Sequence, residues 1–101
     1  NFAFKGYLPS EKNERIQSLK ALEQRSRQQN ETQLFIETPY RNDALLADAV
    51  ENLHPETRLC VATDLTLPTQ EIISQTIAQW RKRKEMPNLK KRPTIFVLHA
   101  A

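Results

Sequence analysis

Apolar positions in this chain fall into short runs with two different periods. Phe2, Phe4 and then Tyr7 alternate with other residues, which suggests a short strand ending at Gly6-Tyr7-Leu8-Pro9. Ile16, Leu19 and Leu22 recur at three-residue spacing among Glu, Lys, Arg and Gln. That spacing predicts a helix running down to Gln29, with Ser10 or Asn13 as its cap. "RSRQQNE" is a polar exit, and "TQLFIE" reads as a second strand. From Pro39 or Asn42 to Leu53, a second helix buries Leu46, Val50 and Leu53, with Leu45 and Ala49 alongside. "HPET" is a turn, and "RLCVATDL" is a third strand whose unbroken apolar run predicts burial on both faces. "EIISQTIAQW" has two readings. It is one helix through Ile73, Ile77 and Trp80, or a strand over 71–75 followed by a helix of two turns. "KEMPNLKKRP" is a loop, and "TIFVL" is a last strand, again apolar throughout.

This order of strands and helices reads as an α/β domain with helices covering a largely parallel sheet. Ligands in such sheets bind beyond the carboxyl ends of the strands. The polar residues of interest are therefore Lys5 to Pro9, Glu37 to Arg41, and Thr63 to Thr66. Tyr40 and Arg41 are expected in the first turn of the second helix, where a cation meets a dipole end of its own sign. Arg41 either pairs locally with Glu37 or joins free backbone N–H groups in binding an anion. Asp64 or Thr66 either caps a turn before Pro68, or Asp64 stands as a carboxylate at the mouth of the same cleft.

Composition narrows the chemistry. The 101 residues are one domain's worth, and 39% hydrophobic content supports a single modest core. Gly6 is the only glycine, which excludes a Gly-rich phosphate loop or a dinucleotide fingerprint. Either the domain binds no such ligand, or it supplies one wall of a site completed by another domain. A strand-like start with no initiating methionine fits a piece of a longer chain. Cys60 is the only cysteine, so disulfides within the chain are excluded, and its apolar setting predicts a buried structural thiol. His54 and His99 have no second ligand at metal spacing, so no metal site is expected. No signal peptide or membrane span is evident, which fits a cytoplasmic protein.

The net charge of +3 is mild, but its distribution is uneven. Arg81, Lys82, Arg83, Lys84, Lys90, Lys91 and Arg92 place seven positive charges within twelve residues. They form either a solvated face or a track for nucleic-acid phosphates. Trp80, in step with Ile73 and Ile77, belongs to the core rather than to a base-stacking platform.

Taken in order, "FKGYLP", "LFIETPYR", "LCVATDLT" and "KRPTIFVL" resemble the C-terminal domain of the tetrapyrrole (corrin/porphyrin) methylase superfamily. The nearest branch is similar to the ribosomal small-subunit RNA cytidine 2'-O-methyltransferases, with their "GFLP", "YESPHR", "ARELTK" and "KGE" phrases. Glu37, Pro39 and Arg41 match "YESPHR", with Tyr40 at the histidine position. Thr63-Asp64-Leu65-Thr66-Leu67 stands in place of "RELTK" without its two basic residues, and Lys91-Arg92-Pro93 replaces "KGE".

The resemblance implies a two-domain, usually homodimeric enzyme that holds S-adenosylmethionine between its domains. It implies that the glycine-rich cofactor loops lie in an N-terminal domain outside these 101 residues. The implied C-terminal domain is a five-stranded mixed sheet flanked by helices, which favours a strand over 71–75. On this resemblance Pro39, Tyr40, Arg41 and Thr66 are the cofactor-side residues, and Glu37 and Asp64 are the carboxylates placed to take a proton. Arg81 to Lys84 and Lys90 to Arg92 become candidate contacts to ribosomal RNA. A tetrapyrrole precursor or other small molecule is the alternative acceptor, and a non-catalytic RNA-binding module is the alternative class. The 101-residue chain alone is expected to be inactive.

Overall fold

The computed structural model describes residues 1–100. Its elements, in chain order, are β1 (Phe2–Tyr7), α1 (Lys12–Gln29), β2 (Thr32–Ile36), α2 (Asn42–Asn52) and β3 (Arg58–Thr63), then β4 (Glu71–Thr76), α3 (Ile77–Lys82) and β5 (Thr94–His99). Of the two readings of residues 71–80, strand followed by short helix is the one that forms. Thr76 ends β4 and caps α3, its Oγ accepting from the Gln79 N–H while the Gln79 side chain accepts from the Thr76 N–H.

The sheet order is β1-β2-β5-β3-β4, which makes β5 the central strand. Only β1 and β2 pair in parallel, while β2–β5, β5–β3 and β3–β4 are antiparallel. The sheet is therefore mixed rather than largely parallel. A parallel return needs a crossover of about a dozen residues or more. Residues 64–70 are too few for one, so β4 doubles back beside β3.

Alternation along the strands divides the sheet into two unlike faces. Gln33, Phe35, Leu59, Val61, Phe96 and Leu98 point to one side and are fully buried, with the Phe35 and Phe96 rings stacked 5.6 Å apart. Leu19, Leu22, Leu45, Leu46, Leu53 and Trp80 from the three helices complete the core on that side. Leu34, Cys60, Ile95 and Val97 point the other way and are only half-buried. Burial of β3 on both faces, expected from its apolar run, forms only in part: on the open side Ala62 is buried, while Cys60 is half-buried and Arg58 exposed. Every helix packs on one side, so apolar character alone does not imply cover. Phe2 and Phe4 of edge strand β1 are 75% and 65% exposed on the open side.

α1 runs down to Gln29 and α2 begins at Asn42, as the pattern allows, but the caps are not the expected ones. Glu11, rather than Ser10 or Asn13, caps α1 by accepting from the N–H groups of Asn13 and Glu14. α2 starts at Asn42, so Arg41 is its N-cap and Tyr40 precedes it, outside the first turn. Buried polar groups tie the helical layer together. Asp48 of α2 takes Arg15 and Lys12 of α1, while Glu23 accepts from the His54 N–H and the Thr57 hydroxyl. Trp80 is core, as its spacing indicates, and its indole N–H donates to the Leu59 carbonyl at 2.9 Å.

Candidate active site at the strand ends

The carboxyl ends of β2 and β3 and the amino end of β5 meet at one edge of the sheet, because β5 runs opposite to both neighbours. A pocket of about 340 Å³ lies there. Its walls are Tyr7, then Ile36, Glu37 and Pro39, then Ala62, Asp64, Leu65 and Leu67, then Pro93, Thr94 and Ile95. Ile36, Ile95 and Ala62 are cross-strand neighbours and make an apolar floor. The pocket is thus mainly apolar, with two carboxylates at its margin.

Those carboxylates differ in kind. Glu37 is 6% exposed, and its Oε1 accepts the Thr38 N–H at 2.7 Å. Its Oε2 is buried and has no hydrogen-bond partner among the described residues. A carboxylate oxygen without a donor is costly to bury, so this atom has unused acceptor capacity beside the apolar floor. Asp64 is committed instead. Its Oδ2 accepts from Arg92 Nε at 2.8 Å and from the Thr69 hydroxyl at 2.9 Å. The Arg92 hydrogen bond, then that of Thr69, hold the Asp64 carboxyl below its ordinary range, and Asp64 in turn raises the Arg92 guanidinium. A carboxylate made less basic in this way is a poor proton acceptor.

The loop between β3 and β4 is shaped by backbone as well as by charge. Asp64 and Thr66 both adopt left-handed conformations, at φ 52° and 69°. Asp tolerates that region, but a β-branched threonine rarely enters it. The loop is held there by the Leu67 N–H on the Asp64 carbonyl, the Thr66 N–H on Gln70 Oε1, and the Asp64 N–H on the Pro93 carbonyl. The turn before Pro68 is therefore present, and Asp64 is part of it. Leu65 and Leu67 line the pocket, whereas Thr66 is exposed beside it.

Pro39 lies in the pocket wall, while Tyr40 and Arg41 are exposed beyond it. No ion pair joins Glu37 to Arg41 among the described residues, because Glu37 turns its oxygens inward and Arg41 remains at the surface. Loop 88–92 packs onto this segment. The Lys91 N–H reaches the Pro39 carbonyl, Asn42 Nδ2 donates to the Arg92 carbonyl, and the Leu89 N–H reaches Asp43. Lys90, Lys91 and Arg41 are consequently exposed around the start of α2.

The basic run does not act as one unit. Arg81 donates to the Val50 and Leu53 carbonyls and so closes the end of α2. Arg83 lies over the Trp80 ring at 5.4 Å, and Arg92 holds Asp64 and the Asn88 and Thr69 carbonyls. Lys82, Lys84, Lys90 and Lys91 are exposed. Cys60 is half-buried on the open face rather than enclosed, and burial raises its thiol pKa. His54 is exposed and His99 shares a hydrogen bond with Thr32, and no group of three metal-ligating side chains occurs among the described residues. Among the described residues, no helix is long and apolar enough to cross a membrane.

Three segments of the wall fall where strand-end reasoning pointed, at residues 5–9, 37–41 and 63–66. Pro93, Thr94 and Ile95 were missed, since a strand's amino end borders such a site only when the strand runs antiparallel. The five-stranded mixed sheet that the resemblance implied is the one that forms, and the short 64–70 connection was the clue to it in the residues themselves.

No family model matches the chain, and no curated protein matches it. Among solved structures, the crystal structure of the methyltransferase CobJ is similar over 100% of this chain, with a TM-score of 0.58 and 17% sequence identity. The chain spans 41% of the length of that structure. At this identity the likeness establishes a shared fold: an α/β domain with a five-stranded mixed sheet and three helices.

Proposed function

We propose that this chain is the C-terminal domain of an S-adenosylmethionine-dependent methyltransferase of the tetrapyrrole methylase superfamily, and that its pocket is one wall of the cofactor cleft. The observation that carries this reading is convergence. Tyr7, Glu37, Asp64 and Pro93 come from the four separate segments that resemble that superfamily, and all four line the same pocket. The fold shared with a methyltransferase supports the same reading.

The residues present fit such a cofactor's adenosine-like body. Ile36, Ala62 and Ile95 offer an apolar floor, and Glu37 Oε2 can accept from a hydroxyl or amine. When bound, the cofactor supplies an electrophilic methyl group on a sulfonium. The chain contributes position and exclusion of water, through the floor and the Leu65 and Leu67 wall. Glu37 is the better candidate for taking a proton or a donor from a ligand, since Asp64 is held in its anionic form by Arg92. Asp64 and Arg92 shape the wall, with Pro39 beside them, while Tyr40, Arg41 and Thr66 form an exposed rim for the opposing domain.

For the acceptor we favour a ribose hydroxyl of ribosomal RNA, on the order of the four motifs, with Lys82, Lys84, Lys90 and Lys91 as phosphate contacts. A small-molecule acceptor is the second reading, favoured by the internal engagement of Arg81, Arg83 and Arg92. A non-catalytic RNA-binding module would lack cofactor-dependent transfer altogether. The test uses the protein extended upstream of Asn1, with label in the cofactor methyl. Label is expected in small-subunit RNA and is expected to fall at least tenfold with Glu37→Gln. Label in a porphyrinoid precursor instead selects the second reading, and transfer to neither overturns the methyltransferase proposal.

A further inference from the structure

Loop 64–70 stands as a thin wall between two cavities. On one side is the apolar pocket, which Asp64, Leu65 and Leu67 line. On the other is a more open, polar recess walled by Pro68, Thr69, Gln70, Glu71 and Arg92, and Asp64 lines it too. The loop is therefore two-sided, with its leucines on the pocket and its polar residues on the recess. Leu65 and Leu67 are 38% and 50% exposed although the pocket beside them is mainly apolar. They gain full cover only when an apolar body fills the space that they line.

Backbone conformation marks where this wall turns. Asp64 and Thr66 have φ 52° and 69°, and the loop contains no glycine to adopt such angles without strain. A β-branched residue held in that region is strained, and strain of this kind collects at ligand clamps and switch segments. The side chain that ties the loop down from outside is Arg92. It donates from Nε to Asp64 Oδ2 at 2.8 Å, from Nη2 to the Thr69 carbonyl at 3.0 Å, and from Nη1 to the Asn88 carbonyl at 2.6 Å. One guanidinium thus fastens both ends of the loop to segment 88–92, while the Thr69 hydroxyl closes the loop on Asp64 from within.

We infer that loop 64–70 is a flap over the pocket, latched at its base by Arg92, which opens to admit an apolar ligand and closes as Leu65 and Leu67 pack on it. Arg92 does not itself line the pocket, so it acts as a positioning residue. A ligand shifts such an equilibrium only through contacts that one state makes and the other lacks, and the two leucines supply them. Lysine does not replace the latch, because a single ammonium lacks the planar fork that meets Asp64 and the Thr69 carbonyl together. The choice of ligand rests on the cofactor-cleft reading, whereas the flap and its latch rest on the geometry of this chain.

The test is amide hydrogen exchange by NMR. In the 101-residue chain, the Leu67 and Gln70 N–H groups are bonded within the loop. They are expected to exchange about a hundredfold faster than those of Phe96 and Leu98 in β5. Arg92→Lys is expected to speed the loop amides about tenfold further and to leave the β5 amides unchanged. Thr69→Val, which removes only the inner bond, is expected to act in the same direction by about threefold. In the protein extended upstream of Asn1, saturating S-adenosylhomocysteine is expected to slow the same two amides about tenfold. Arg92→Lys is expected to weaken binding of that probe about tenfold. Loop amides as slow as those of β5, or indifferent to both substitutions, overturn the flap. A bound probe that leaves them unprotected overturns closure on ligand. A probe that does not bind overturns the cofactor-cleft reading instead, and the exchange rates of the chain alone still decide the flap.

Discussion

The two faces of this sheet are built from similar residues and meet opposite fates. Along β5, Phe96 and Leu98 are fully buried under helices, while Ile95 and Val97, equally apolar, are half-exposed. The difference lies in the connections. α1, α2 and α3 all return on one side, so hydrophobic pattern determines which residues prefer cover but topology determines which receive it. The covered face carries the core of the domain, and the open face and its strand ends stay accessible.

The largest expected effect tests that division on adjacent residues. Phe96→Ala removes a ring stacked on Phe35 in the core and is expected to cost about 3–5 kcal/mol. Val97→Ala, one residue on, is expected to cost about 1 kcal/mol or less, because its side chain is already partly in water. Urea unfolding of both variants at low protein concentration checks the pair. Similar costs would mean that the open face is covered in the monomer.

The same contrast separates two ion pairs. Asp48 and Arg15 are enclosed between α1 and α2, whereas Arg92 and Asp64 sit at the pocket margin with the guanidinium a quarter exposed. Asp48→Ala leaves the Arg15 charge enclosed without its partner, an expected loss of about 3 kcal/mol. Lys12→Ala, from the exposed partner on the same carboxylate, is expected to cost under about 1 kcal/mol. A thermal shift for Lys12→Ala as large as that for Asp48→Ala would contradict this ranking.

Acid brings both pairs into one measurement. Burial raises the Asp48 carboxyl, but the Lys12 and Arg15 hydrogen bonds outweigh it and leave the value lowered, while Arg92 and Thr69 lower Asp64. A carboxyl with a depressed folded pKa stabilises the fold above its unfolded pKa, near 3.9, and that stability is lost as pH falls through the lower folded value. Stability is therefore expected to hold from neutral pH to about 4 and to drop below it. Asp64→Asn is expected to make the drop shallower. An unchanged acid limb in that variant would show that the Arg92 pair contributes nothing.

Much of the element order was legible in the sequence, because β2, α2, β3 and β5 combine clear periodicity with clear breaks. The sidedness of the sheet was not, since Phe2 and Phe4 alternate as a core strand would and only long-range topology leaves them bare. Site residues divide the same way. Glu37 and Asp64 were legible as polar residues after strands, but their different states were not. Asp64 is occupied by an arginine 28 positions away, and Arg81 is held by carbonyls 28 and 31 positions away. Nothing in a local run of basic residues distinguishes a guanidinium bound to backbone from one free to meet a phosphate.

Arg41 offers the smallest effect and the closest comparison of stability with recognition. It is the N-cap of α2, makes no side-chain capping bond, and places a cation at the positive end of the dipole. Asp at an N-cap both accepts an orphan N–H and favours that dipole, so Arg41→Asp is expected to stabilise the domain by about 0.5–1 kcal/mol. A residue kept for folding would not gain on such a change. If Arg41 meets an anionic group at the rim of the pocket, the same variant is expected to bind ligand more weakly in the extended protein while melting higher. A variant that melts higher and keeps full affinity would assign Arg41 to the solvent and restrict recognition to the pocket floor and Glu37.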